Sequence, residues 1–191
     1  MANIGLSQPY YAKYSETSGV VTYSDVTKLG KATEVDLSLD NKDPEKLYAD
    51  NGPAESLNLF SGATVTLGID ELSLEVAADI LGMTAPSGTG GITFAADAVA
   101  PYVGLGFIVK KVYEGEVKYR VIVLYKCQFK PVDFSISTQG ETVEFQTPEL
   151  EAEVLKDDTA TPKWQFWQDF NSESAALTAL KTALGYTETT N

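Results

Sequence analysis

Apolar and polar residues alternate with a period of two along most of the chain. Ala63, Val65, Leu67 and Ile69 interleave with Thr64, Thr66 and Gly68, the pattern of a strand with one apolar face. The clearest strand is 117–127, where Val117, Tyr119, Val121, Val123 and Tyr125 point one way and Lys118, Arg120 and Lys126 the other. It is preceded by an apolar run, Tyr102 to Val109, and Glu114-Gly115-Glu116 between them reads as a hairpin connection. A second hairpin is expected around Thr147-Pro148: Val143 and Phe145 alternate with Thr142, Glu144 and Gln146 before it, and Leu150, Ala152 and Val154 follow it.

Two short helices interrupt the strands. Asp70 is placed to cap a helix over Glu71–Leu81, with acids in the first turn and Gly82 at its C-terminal end. Near the end of the chain, Asn171 or Ser172 caps a helix (172–185) whose Leu177, Leu180 and Leu184 form one stripe, closed by Gly185. The segment 40–58, with Pro44, Gly52 and Pro53, reads as a long loop, and Ala85 to Gly91 as a second one. Long loops in compact domains are usually functional. No clean boundary divides the 191 residues, so a single mainly β domain is expected, a β-sandwich or half-barrel with an N-terminal arm or strand over 1–14.

Composition removes whole classes of function. There is no histidine, which excludes Ser-His-Asp and Cys-His catalysis and imidazole metal sites. Fourteen Lys and Arg against 27 Asp and Glu give a net charge of −13, the opposite of a nucleic-acid-gripping footprint. The single Cys127 allows no internal disulfide and sits in a strand pattern, so it reads as a small buried side chain. The first residues lack a secretory signal, and no stretch approaches the about 18 apolar residues of a membrane span.

The remaining motifs are weak. Gly104-Leu105-Gly106 starts a G-x-G, but Val109 stands at the next glycine position and the segment is a strand, so a dinucleotide fingerprint is rejected. Its glycines leave one strand face bare for close approach by this chain or a neighbouring subunit. Asp40 to Glu45 lacks calcium-loop spacing; a glycosidase pair needs two acids at a fixed separation, which spacing along the chain does not give, and the acids here fall mostly on loops and solvent faces. Trp164, Phe166, Trp167 and Phe170 read as packing for the C-terminal helix rather than a sugar platform.

Charge placement says more. Between 107 and 131, Lys110, Lys111, Lys118, Arg120, Lys126 and Lys130 outnumber Glu114 and Glu116. Between 141 and 158 the balance reverses: Glu149, Glu151 and Glu153 share a strand face, with Glu144 on the expected partner strand. Three uses fit this stripe: a solvated face that discourages aggregation, a contact with the basic hairpin (Lys118, Arg120, Lys126) of another copy, or a surface over which polyanions slide.

One resemblance runs through the chain in order. Asn3-Ile4-Gly5-Leu6, Pro9-Tyr10-Tyr11-Ala12-Lys13-Tyr14, Leu29-Gly30-Lys31-Ala32, and Leu47-Tyr48-Ala49-Asp50-Asn51 with Glu55 come first. Gly62 to Asp70, Leu81-Gly82, Pro101 to Phe107, and Phe145-Gln146-Thr147-Pro148 with Glu151 follow. Together they resemble the major tail tube proteins of phages with long, non-contractile tails (siphophages); beyond Asp157 the likeness is one of general character.

The resemblance implies a non-enzymatic structural protein of the virion tail, assembled in the host cytoplasm without cofactor or metal. Six-fold rings would stack into a hollow tube whose inner sheets join into one barrel, the conduit for genome ejection. The implied partners are other copies of the chain, a tape-measure protein, a tail terminator and tip or baseplate proteins; DNA passes without specific binding and no membrane is involved. Leu47, Tyr48, Asp50, Asn51 and Glu55 are the candidates for ring stacking, since an apolar Leu-Tyr pair within a charged loop gains from burial against a partner. A tube of a contractile or secretion machine, a carbohydrate-binding β-sandwich and a carboxylate hydrolase are the alternatives.

Overall fold

The computed structural model describes residues 2–40, 60–84, 90–133 and 147–185, together with the backbone of 45–49 and 52–57. The strands are β1 (Ala2–Thr17), β2 (Val20–Lys28), β3 (Ala32–Leu39), β4 (Glu45–Ala49), β5 (Gly52–Leu57), β6 (Ala63–Ile69), β7 (Tyr102–Tyr113), β8 (Glu116–Phe129), β9 (Glu149–Leu155) and β10 (Gln165–Phe170); the helices are α1 (Leu74–Leu81) and α2 (Glu173–Ala183). Eight strands form one antiparallel sheet in the order β2-β1-β7-β8-β9-β6-β3, with β10 added beside β8, so the mainly β expectation holds. Both long hairpins turn through two residues with positive φ, Ser18-Gly19 and Glu114-Gly115, the handedness that matches strand twist. Segment 40–58, expected as a loop, carries a separate two-stranded ladder, with Leu47 opposite Glu55 and Tyr48 opposite Pro53.

The 14-residue β8 organises everything else. Its first half pairs with β10 (Tyr119–Leu124) and its last residues with β9 (Lys126–Phe129). Between them the register against β7 slips by one residue, since Val103 faces Cys127 but Leu105 faces Leu124. That bulge swaps the faces of the strand. Val121 and Val123 pack in one core with Ile108, Leu180 and Leu184, whereas Leu124, Cys127 and Phe129 pack in another with Leu67, Leu105 and Leu150. The simple alternation expected over 117–127 therefore fails at its end: Lys126 stands on the opposite face from Lys118 and Arg120.

Each helix seals one core. In α1, Val76, Ala77, Ile80 and Leu81 face inward. Tyr11 Oη donates to Asp79 Oδ2 at 2.9 Å and Lys13 Nζ reaches Asp79 Oδ1 at 2.8 Å, tying α1 to β1. The N-cap is Ser73, not Asp70, because the Asp70 carboxylate is already engaged. It accepts the Lys31 and Glu71 N–H groups, bonds that hold its pKa below the ordinary carboxylate value. The helix consequently starts three residues later than the spacing predicts, while Gly82 (φ 70°) ends it as expected. Helix α2, capped by Ser172, buries Ala176 and Leu180, with Leu184 just past its end, over the bare face of β7. A Cβ on Gly106 would meet Leu180 Cδ1 at 2.3 Å, and one on Gly104 would meet Tyr23 Cε1 at 2.6 Å. What approaches these glycines is thus the side chains of the chain's own α2 and β2.

Candidate functional site

The acidic stripe occupies the outer face of β9. Glu149, Glu151 and Glu153 are exposed and alternate with buried Leu150, Ala152 and Val154. Strand register extends this into a surface that the stripe alone did not disclose. Glu149 lies beside Gly68, with Glu34 on the far side of that glycine; Thr66 likewise stands between Glu151 and Asp36, and Thr64 between Glu153 and Ser38. Two rows of carboxylates therefore flank a row of threonine and glycine. The alternation Glu34-Val35-Asp36-Leu37 carried the signal for the second row, but nothing local showed that β3 and β9 sandwich β6. Lys130 pairs with Glu151, which raises the Lys130 pKa. Glu144 lies outside the described residues.

The basic hairpin does not form the free face expected of it. The Arg120 guanidinium grips Asp169 through Nε (2.6 Å) and Nη2 (2.7 Å) and lies 5.0 Å from the centre of the Trp167 ring. That bond raises the Arg120 pKa and lowers that of Asp169. Lys118 Nζ donates to Asn171 Oδ1 at 2.8 Å and pairs with Glu116 at 2.9 Å. Across the bulge, Lys126 Nζ binds Asp158 Oδ2 at 2.6 Å and lies 4.4 Å and 5.2 Å from the Tyr102 and Tyr14 ring centres. The Asp158 carboxylate is held low in pKa by Lys126 first and then by Tyr14, whose own phenol is pushed up to about 12 by burial and by Asp158. The three cations are thus on two faces and each is tied to a partner of its own chain.

Of the ring-stacking candidates, Leu47 and Tyr48 lie on β4 and Glu55 on β5; Asp50 and Asn51 lie outside the described residues. The aromatics 164–170 divide. Trp164 stacks on Phe60 (4.3 Å, 7°) beside the larger core, and Phe170 packs toward α2. Phe166 and Trp167, 36% and 54% exposed, are consecutive strand residues and so face opposite ways, which denies them a shared sugar platform. The expectation of helix packing thus holds for Phe170 alone. Cys127 is fully buried, and burial raises its thiol pKa, leaving no nucleophile there.

Two further features escape single-strand reasoning. First, the sheet is open: among the described residues, β2 and β3 end the strand order and β10 is paired only to β8. Second, a cavity of about 1010 Å³ lies between α1, segments 91–94 and 131–133, and β9. Its apolar wall includes Leu74 and Phe94, 53% and 54% exposed, and its rim carries Asp70, Glu71, Asp133, Glu149 and Glu151. Among the described residues no helix is long and apolar enough to cross a membrane.

No protein-family model matches the chain, and no curated protein matches its sequence.

Proposed function

We propose that the chain is a structural virion protein that assembles into six-fold rings stacked as the tail tube of a long, non-contractile phage tail. The observation that carries this reading is the open sheet. Unpaired strand edges are templates for pairing with another chain. A head-to-tail contact between two different edges closes into a ring when its rotation fits, and closure removes the edges. The handling of charge supports the same reading. Cations committed to internal partners and a carboxylate-lined sheet face give a passing polyanion few phosphate contacts, and each contact avoided lowers affinity and friction.

Negative-stain electron microscopy of the purified protein across a concentration series, with and without fragments of preformed tail as seeds, tests the proposal. Six-fold rings or hollow tubes are expected. A sample that stays monomeric in every condition, seeded or not, overturns it.

A further inference from the structure

The groove beside α1 has the make-up of a docking site. Helix α1 turns Val76, Ala77, Ile80 and Leu81 into the core, which leaves Leu74 at its first turn pointing away. Segment 91–94 brings Ile92 and Phe94 to the same cavity, where Phe94 stays about half exposed. Burying such side chains against a partner removes apolar surface from water and is favourable. Five carboxylates and, among the described residues, no lysine or arginine line the groove. Of the five, Asp70 and Glu151 have ion-pair partners in Lys31 and Lys130. Glu71, Asp133 and Glu149 have none among the described residues. The rim is continuous with the carboxylate rows through Glu149 and Glu151.

We propose that this groove binds a polypeptide segment of a different protein, one in which apolar side chains alternate with lysine or arginine. Charge complementarity selects the occupant. A second copy of this chain carries a net charge of −13 and has Lys118, Arg120 and Lys126 bound internally, so it brings like charge to an acidic rim. A basic, apolar segment fills the wall with its apolar residues and meets the carboxylates with its cations. The inference goes beyond tube assembly and does not depend on it.

The test is binding of a short synthetic leucine–lysine peptide to the full chain, followed by fluorescence anisotropy and by backbone NMR shifts. The leucine–lysine peptide is expected to bind with shifts centred on Leu74, Ile92 and Phe94, and Phe94→Ser is expected to weaken it about tenfold. Phe94 is exposed, so this variant keeps its fold. Substituting Glu34→Gln and Asp36→Asn on the far row should change affinity less than twofold. Equal binding of a serine–lysine peptide, or of a leucine–glutamate peptide, overturns the proposal. So does binding indifferent to Phe94→Ser, or displacement of the peptide by self-association of the protein, which would name a second copy as the occupant.

Discussion

Along β8 and β10, Lys118, Arg120 and Lys126 each end on a partner in the same chain, whereas across β3, β6 and β9 the carboxylates of Glu34, Asp36, Glu149 and Glu153 have no ion-pair partner among the described residues. The two regions share one sheet and differ in what their charges are for. On β8 the cations are partly buried, held over aromatic rings or in a two-pronged grip, and they fix neighbouring elements: Lys126 joins β8 to Asp158, and Arg120 joins it to β10. On the shared face of β3 and β9 the carboxylates are solvated, and of the five only Glu151 makes an ion pair, with Lys130. Five carboxylates, Glu34, Asp36, Glu149, Glu151 and Glu153, thus share one face, and the four without an internal ion pair are free for an external one.

If the cations are structural, removing one should cost stability, and Lys126 should cost most. Its side chain is only 12% exposed, bonded to Asp158 and placed over Tyr102 and Tyr14. Lys126→Ala removes a charged hydrogen bond and two ring contacts, about 2 kcal/mol together, or about 5 °C in Tm for a domain of this size. Lys126→Met keeps the stem against the rings and should cost about half as much. Thermal unfolding of both variants checks this; a neutral Lys126→Ala would erase the contrast between the two regions.

The same contrast has a pH signature. Asp158 and Asp169 have folded pKa values held below the unfolded value of about 3.9 by Lys126 and Arg120. Their stabilisation is fully present above that unfolded value and is lost as pH falls through the folded values. Wild-type stability should therefore fall on acidification below about pH 4, and Asp158→Asn, lacking one of these groups, should show a shallower fall. Urea midpoints measured from neutral to strongly acidic pH decide it; an unchanged slope would show that the Lys126–Asp158 pair is not maintained in solution.

How far the sequence reached depends on whether the cause was local. The alternation over 63–69 and the Glu114-Gly115 turn, like Gly82 at a helix end, involve neighbours in the chain, and the structure carries all three. The bulge that moves Lys126 across β8 was not legible, because the alternation continues through it and only the register against β7 discloses the extra residue. The N-cap position has a similarly non-local cause: Asp70 is a good capping residue, but Lys31, thirty-nine positions away, takes its carboxylate. Of the charged surface, the β9 stripe was visible and the β3 row was not, since they meet only through β6. The groove depends on four separated segments, and no one of them carries it.

The smallest effect expected is also the sharpest statement about the acidic face. Glu149→Gln, Glu151→Gln and Glu153→Gln together remove three like charges and one exposed ion pair, that of Glu151 with Lys130. An exposed pair contributes little, and neighbouring carboxylates repel weakly through water, so the two changes oppose one another. The triple variant should match wild-type stability within about 0.5 kcal/mol at physiological salt. At low salt, where the Debye length grows, it should be a few tenths of a kcal/mol more stable than wild type. Urea unfolding at two salt concentrations measures both. A loss larger than about 1 kcal/mol would mean that the carboxylates hold the fold together, as the β8 cations do. A change of the expected size and sign means that the fold tolerates this charge rather than needing it, which locates the reason for three glutamates on one strand outside the isolated chain.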